Sequence, residues 1–346
     1  MRTLEFKVYV LRNGVRLTEL MWMVGSEPVM TISRDAELHR SMQGTFEHNP
    51  LVDYITDELQ PVAVISGIEQ PIATLIIGSA KKTMENGIVR VNIEAYDRAL
   101  RLKNNRCTSI YHITQGTNYI SAVREILSDC GIVSVSAQPT ANTLPTDREF
   151  LLGTDFLSIC NELLAEINYD SVDFDGTGLC VLKKHVEPSA SAIKWRYGNA
   201  EQFSVLQHTK DSYTEDEDIF DAPNVFVCTC ANPDMDEDMV ATSENANPSS
   251  KKSTFARKMR IVQVTNVENI ASQTELQAYA DRLRNESLWS SKKITFTSLY
   301  DGNHASGDVV AISNEEISGI YLETSVEWTL ADDAMLRHTA RKAVMT

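Results

Sequence analysis

The first hundred residues consist of short alternating apolar segments separated by turn signals, and no other feature constrains the fold as strongly. Leu4–Leu11 and Val15–Val24 both alternate, and Asn13-Gly14 between them is a hairpin signal. Further strands are predicted at Val29–Ile32, Val62–Ser66, Ala73–Ser79 and Ile88–Ala95, with a turn at Glu85-Asn86-Gly87. Many short strands at this spacing indicate a closed or nearly closed barrel over residues 1–103.

The pattern changes near Asn104, where apolar residues begin to recur at helical spacing. Two helices and a hairpin are predicted: Tyr119–Cys130 ending at Gly131, Asp155–Ile167 capped by Thr154, and strands Tyr169–Phe174 and Leu179–Lys183 around Asp175-Gly176. Residues 104–192 are therefore predicted to form a small α+β domain inserted into the chain.

Strand signals return from Ile193 onward. The predicted strands are Phe203–His208, Asn224–Cys230, Arg260–Val267, Lys292–Leu299, Val309–Ile312 and Ile320–Thr329. Ser272-Gln273-Thr274-Glu275 is a capping box that opens a helix over 273–289. A polar, acidic stretch within 211–255 is predicted to be a long surface loop. Residues 193–346 thus predict a second barrel, and the fold class is α+β, mostly β.

The formal net charge of -16 excludes several partners. Such a surface repels phosphate backbones and anionic membranes, so it argues against nucleic-acid binding. An acidic surface suits a basic protein partner, or the wall of a channel through which DNA passes without binding. No apolar run approaches the roughly 20 residues of a membrane span. The charged start reads as a strand and not as a signal peptide.

The cysteines are predicted to be buried free thiols in a reducing compartment. They are Cys107, Cys130, Cys160, Cys180, Cys228 and Cys230. None forms a C-x-x-C pair, so neither a zinc motif nor a redox motif is indicated.

Catalytic motifs are missing from the sequence: it has no H-E-x-x-H, G-x-S-x-G, P-loop or G-x-G-x-x-G string. Cys107 and His112 lie five residues apart, but a thiol–imidazole pair also needs an orienting group and an oxyanion donor, so coincidence is favoured. Carboxylates for glycoside cleavage cannot be singled out in so acidic a chain.

The candidate metal-binding segments are explained better by ordinary structural roles. The segment 173–178, Asp-Phe-Asp-Gly-Thr-Gly, has the alternating carboxylates of a calcium loop, but position 184 is Lys184 where a bidentate glutamate is needed. A hairpin turn is favoured there. The acidic clusters 215–218 and 234–238 are interpreted as solvated charge or as a contact for a basic neighbour. The seven histidines lack ligand spacing, and no catalytic, cofactor-binding or metal-ligating residues are predicted.

Four stretches carry a family resemblance when taken in order. Ile88–Leu100, with its Tyr96-Asp97 pair, resembles the last strand of a first barrel that leads into an insert. Phe150–Cys160 and the hairpin after it are similar to the insert of the same family. Ser306–Val310 followed by Gly319–Leu322 is like its closing strands. The family is that of the hub proteins of phage tails and contractile injection systems, and the nearest likeness is to those of Gram-positive prophages.

This resemblance implies a structural role without chemistry. Two tail-tube-like barrel domains per chain, with the α+β domain between them, would assemble as a homotrimer whose pseudo-six-fold ring joins the hexameric tail tube to a central spike or tip. The implied partners are the tube, spike or tip, and tape measure proteins, with DNA only in transit. The implied location is the virion tail or baseplate, assembled in the bacterial host cytoplasm. A receptor- or glycan-binding tail module and a cell-wall hydrolase remain as alternatives.

Overall fold

The structure is a computed structural model that describes residues 3–23, 25–187, 190–198, 222–231, 238–267, 269–289, 293–302, 304–305, 307–313 and 318–342. It is 46% strand and 17% helix, with mainly antiparallel sheets, which confirms the mostly β class. In these ranges, no helix is both long enough and apolar enough to cross a membrane.

The elements of the first half of the chain follow the predicted order. The strands are β1 (Leu4–Arg12), β2 (Val15–Glu19), β3 (Val29–Ser33), β4 (Arg40–Glu47), β5 (Glu58–Ile65), β6 (Ile68–Pro71), β7 (Leu75–Glu85), β8 (Ile88–Asp97), β9 (Tyr111–Ile113), β10 (Val135–Ala137), β11 (Arg148–Phe150), β12 (Asp173–Phe174) and β13 (Cys180–Leu182). The helices are α1 (Ala99–Asn104), α2 (Tyr119–Asp129) and α3 (Phe156–Ala165).

The second half is also mainly strands. These are β14 (Ile193–Gly198), β15 (Val225–Cys230), β16 (Met239–Glu244), β17 (Val262–Asn266), β18 (Lys293–Leu299), β19 (Val309–Ser313), β20 (Ser318–Thr329) and β21 (Met335–Lys342). The helices are a 3-10 turn at Ala190–Ala192, α4 (Thr254–Arg257) and α5 (Gln273–Trp289), the last at the predicted bounds.

One thirteen-stranded sheet runs through both halves. Its main path is β14-β19-β20-β3-β4-β8-β7-β5-β1-β2, with β21 and β18 branching from β20 and β6 from β5. The two halves join where β20 pairs antiparallel with β3, for example Trp328 with Met30.

The first-half sheet curls back on itself without a closing ladder. Trp22 forms a single bridge with Phe46, and the Glu47 amide donates to the Met21 carbonyl at 2.8 Å. Trp22 lies beyond the end of β2 at Glu19, so its contact with Phe46 is an isolated bridge and β2 itself does not pair with β4. The described residues therefore form no closed barrel, and the prediction of two barrel domains is not confirmed.

The cores follow the sheets and the insert. A core of residues between Ala99 and Leu182 holds α1, α2 and α3 against the short strands of the insert. The interior of the curled sheet includes Phe6, Phe46 and Leu75 from the first half, and also Trp328 and Leu336 from the second. The two halves thus share a core as well as a sheet.

Two local predictions need correction. Asp155, and not Thr154, caps α3: Asp155 has extended backbone angles, and its Oδ1 accepts from the Ser158 amide at 2.9 Å. The predicted loop within 211–255 is not all loop, since it contains β16 paired with β15 as well as α4. The strand predicted at Phe203–His208 lies outside the described residues.

Beside the main sheet, β16-β15-β17 form a small three-stranded sheet. One face of it packs on α5, where Cys228 and Ala241 contact Leu276 and Ala280 in a buried cluster. Helix α5 thus covers one face of this small sheet.

Candidate functional site

A group of three buried titratable side chains lies inside the second half of the main sheet. His304 is in the turn between β18 and β19, Glu323 is on β20 and His338 is on β21. Their side chains are 3%, 0% and 0% exposed. The Nδ1 atoms of His304 and His338 lie 3.4 and 2.7 Å from the two oxygens of the Glu323 carboxylate.

Each imidazole of this group is fixed on its other side. His304 Nε2 lies 2.6 Å from the Tyr197 hydroxyl, and His338 Nε2 lies 2.8 Å from Ser298 Oγ. Trp195 stacks on the His304 ring, with 4.1 Å between ring centres and 14° between planes. Phe296 stacks on His338 at 4.4 Å and 11°. The rings therefore have little freedom to turn.

Burial sets the protonation of this group. It raises the pKa of Glu323 to about 7, although the hydrogen bond with His304 opposes the rise. Burial lowers the pKa of His338 to about 3. Both shifts favour the neutral forms, as expected where water is excluded. Sequence patterns do not reveal this group, because its members are 19 and 15 residues apart and have no motif spacing.

A second group joins the insert to the main sheet and contains the residues of the suggested calcium loop. Asp173 Oδ1 accepts from Arg40 Nη1 at 2.7 Å and lies 3.2 Å from His39 Nδ1. Burial alone would raise the pKa of Asp173, but His39 and Arg40 lower it to about 2. Asp175 Oδ1 accepts from the Thr177 and Leu179 amides, as in a hairpin turn. Both carboxylates are thus engaged in hydrogen bonds, which supports the hairpin interpretation.

The connection into the insert is also held by charge. Arg98, directly after the Tyr96-Asp97 pair, donates to both oxygens of Glu58 at 3.0 and 2.7 Å. Arg101 donates to the same carboxylate at 2.9 Å. A forked guanidinium–carboxylate pair fixes direction as well as distance, so β5 and α1 are held in one orientation.

A buried ion pair lies within the insert. Arg148 contacts Glu162 and Glu166, and the Tyr119 hydroxyl donates to Glu166 Oε2 at 2.7 Å. Burial raises the pKa of Glu166 to about 7 even beside Arg148. A cavity of about 370 Å³ lies next to Glu166. Residues at the end of β17 and Tyr279 of α5 form its other walls. Of its polar lining, Glu162 and Glu166 contact Arg148, and the side chains of Asn266 and Asn269 accept hydrogen bonds from threonines.

The sequence candidates for a thiol site are not assembled. Cys107 is buried, and burial raises the pKa of its thiol, which disfavours the nucleophilic thiolate. His112 Nε2 lies instead 3.7 Å from Asp147. All six cysteines are buried and free, which confirms the prediction of buried free thiols. The acidic clusters at 215–218 and 234–237 lie outside the described residues.

The small sheet exposes an apolar surface on the side away from α5. Val240, Val262 and Val264 lie on this side. Val264 pairs with Val227 and Val240 pairs with Thr229, and since Val227 and Thr229 are two residues apart on β15, they face the same side of the sheet. Val262 and Val264 are likewise two residues apart on β17. They are 56%, 50% and 67% exposed. We call these three residues the valine face. Strand β17 is also an edge strand in this sheet. Exposed apolar edges are typical of surfaces that a partner covers.

The comparisons with known proteins agree on the fold. No family model matches the sequence, and no curated protein is similar to it in sequence. The chain is similar to the solved structure of a tail protein from Neisseria meningitidis, with a TM-score of 0.67, 12% identity, and 98% of this chain and 97% of that one covered.

Two prophage proteins are similar to it as well. A 43 kDa tail protein of prophage MuSo2 from Shewanella oneidensis gives a TM-score of 0.65 at 10% identity, covering 97% of this chain and 98% of that one. A prophage tail protein from Listeria monocytogenes gives 0.58 at 13% identity, covering 97% and 94%. The special likeness to Gram-positive prophages stays a prediction, because two of these three proteins come from other bacteria. Over nearly its whole length, this chain has the fold of the phage tail proteins.

Proposed function

We propose that the chain is a non-enzymatic structural hub subunit of a phage tail or phage-like particle. In this proposal three copies join the hexameric tail tube to the central spike or tip and line the channel. The observation that carries it is the extent of the fold match, which takes in 98% of this chain and 97% of the Neisseria tail protein. A match of that extent involves the insert and both sheet regions together, and not one widespread domain.

The proposed geometry has three parts: strands of 1–103, the insert of 104–192 and strands of 193–346. A six-fold tube edge can be met by three chains if each supplies two similar surfaces. The continuous pairing of β3 with β20 supports this arrangement, because it would hold the two surfaces of one chain at a fixed angle. The insert, with its own core, would lie outside the ring.

Surface features support assembly with other proteins. The valine face is exposed, and so is edge strand β2, where Val15 and Leu17 are 69% and 41% exposed. An obligate interface would cover such residues. The net charge of -16 suits basic surfaces on the tube, spike or tape measure proteins, and it suits a lumen through which DNA moves without binding. The particle would be built in the bacterial host cytoplasm.

Mass photometry tests the oligomeric state and the partners. The purified chain, alone and co-expressed with the products of its neighbouring genes, is expected to give trimers of about 116 kDa, three times 38.7 kDa, and larger complexes with tube or spike proteins. A chain that stays monomeric at physiological salt and joins neither protein would contradict the hub proposal. Clearing of host peptidoglycan in a zymogram, lost on mutation of a carboxylate, would contradict its non-enzymatic part.

Imaging of the assembled particle tests the channel. The inner wall is expected to be neutral to acidic, because basic rings would gain affinity for DNA through counterion release. A reconstruction that shows a ring of lysines or arginines facing the lumen would be inconsistent with this part of the proposal.

A further inference from the structure

We infer that His304, Glu323 and His338 form a binding site for one transition-metal ion of the zinc class. Each residue offers one ligand atom, and these atoms lie within 4.8 Å of one another. Two imidazole nitrogens and one carboxylate oxygen are a ligand set that zinc uses in proteins. This inference does not depend on the hub proposal.

The distances are close to those of a metal site. Zinc bonds of about 2.1 Å at tetrahedral angles place neighbouring ligand atoms about 3.4 Å apart. His304 Nδ1 and Glu323 Oε1 are 3.4 Å apart, and His338 Nδ1 and Glu323 Oε2 are 2.7 Å apart. The second distance is that of a hydrogen bond and runs to the other carboxylate oxygen, so a metal ion would either contact both oxygens or require His338 to shift when it enters.

The outer contacts favour the ligand form of both rings. Ring nitrogens that bind metal usually have their second N–H held by an oxygen acceptor. Tyr197 and Ser298 place hydroxyl oxygens 2.6 and 2.8 Å from the two Nε2 atoms. If each Nε2–H donates to its hydroxyl, both Nδ1 lone pairs face the Glu323 carboxylate. The stacked Trp195 and Phe296 rings then hold that orientation.

Charge gives a reason for a cation at this position. The Glu323 carboxylate has no exposed surface, and in the described part of the chain its side-chain hydrogen-bond partners are His304 and His338. A buried carboxylate is costly unless it binds a proton or a cation. A divalent ion would more than balance the single carboxylate charge and would leave both imidazoles neutral. Nitrogen ligands favour zinc or a similar metal over calcium and magnesium, which prefer oxygen.

A cavity lies beside His304, the ligand residue nearest to the surface. It has a volume of about 190 Å³ and is lined by His304 together with Asp301, Gly302 and Ala305 of the same turn. Glu323 and His338 do not line this cavity, so an ion would have to pass the His304 side chain to reach all three ligand atoms. The bound metal would tie this turn to β20 and β21 and so stabilise the second-half sheet.

Titration of the full-length chain tests the inference. After dialysis against a chelator, the wild-type chain is titrated with Zn²⁺ by calorimetry, and with Co²⁺ while the visible d–d absorption is recorded. One ion per chain, a tetrahedral cobalt spectrum and a higher melting temperature in zinc than in EDTA are expected. His304→Gln and Glu323→Gln should each lower the affinity at least tenfold. His112→Gln, which changes an exposed histidine, should bind as the wild type does.

Two results would overturn the inference. One is a wild-type chain that binds neither ion stoichiometrically and melts at the same temperature in zinc and in EDTA; the three residues would then be a hydrogen-bonded network only. The other is binding that persists undiminished in both His304→Gln and Glu323→Gln. The wild-type measurements decide the question even if a variant fails to fold.

Discussion

The side-chain amide of Asn168 donates to Glu275 Oε2 at 2.6 Å and to the Glu275 carbonyl at 3.0 Å, which ties the end of α3 to the start of α5. Asn168 has a φ of 53°, a left-handed conformation that asparagine tolerates better than most residues. Ser272 caps α5 as predicted, with its Oγ accepting from the Glu275 amide at 3.2 Å. The Glu275 carboxylate, however, is turned to the insert, where it also accepts from Asn142.

Replacing Asn168 with aspartate should weaken this joint. Asn168→Asp keeps the backbone preference but sets two carboxylates against each other, and we expect a loss of about 1–3 kcal/mol in the free energy of unfolding at pH 7. Urea denaturation measures the loss. Asn168→Gly is the control, because it keeps the left-handed backbone and removes the hydrogen bonds without adding charge. If the two variants are equally stable, there is no charge repulsion between Glu275 and the aspartate at position 168.

Gly176 should be intolerant of any side chain, because the insert hairpin meets the main sheet there. A Cβ at Gly176 would lie 2.1 Å from the Pro71 carbonyl oxygen, a backbone atom that cannot turn away. Gly176→Ala is expected to cost about 1–3 kcal/mol, seen as a lower melting temperature.

Gly302→Ala is the matched control for that experiment. Its Cβ would meet Gln70 Oε1 at 2.4 Å, which is the end of a flexible side chain and can move. We expect the smaller effect at Gly302. If the two variants melt alike, the close approach of the hairpin to Pro71 is not a constraint on the fold.

The sequence predicted the elements whose apolar pattern is local and regular. The bounds of α5 and the hairpin at Asn13-Gly14 agree with the structure. Strand β21 was missed because its inward-facing position 338 holds a histidine, which breaks the apolar alternation. Strand β4 was missed because it contains Gly44, packed against Pro28 where a Cβ would be 2.8 Å away.

The buried group of His304, Glu323 and His338 could not be predicted from the sequence either. Its ligand atoms meet only because β20 pairs with β21 and the turn before β19 folds over them. Pairing between distant strands is a tertiary property that spacing along the chain does not encode. The pairing of β3 with β20, which merges the two halves into one sheet, was unpredictable for the same reason.

Acid should loosen the contact between the insert and the sheet through Asp173. The pKa of Asp173 is lowered from 3.8 to about 2 in the folded protein, so its contribution to stability is present above pH 3.8 and is lost as the pH falls towards 2. The shift corresponds to at most about 2.5 kcal/mol. Asp173→Asn is expected to lose this amount at pH 7 and to show a weaker pH dependence between pH 4 and 2.

Thermal unfolding followed across that pH range measures the difference. Glu5→Gln is the control, since its carboxylate is 60% exposed and its nearest cation, Lys7, is 3.9 Å away. It should unfold like the wild type at every pH. An Asp173→Asn protein with the wild-type pH profile would mean that Arg40 and His39 do not hold a charged aspartate.

The valine face should be needed for assembly and not for folding. Because Val264 is 67% exposed, Val264→Glu is expected to leave the melting temperature within about 1 °C of the wild type, as surface changes usually do. In a buried interface the same glutamate would be an unpaired charge and would cost several kcal/mol. Mass photometry should therefore show the trimer replaced by monomer. Val133→Glu is the control, since Val133 is 81% exposed on the insert, and it should still assemble. Trimers of normal stability in both variants would show that the subunits meet elsewhere.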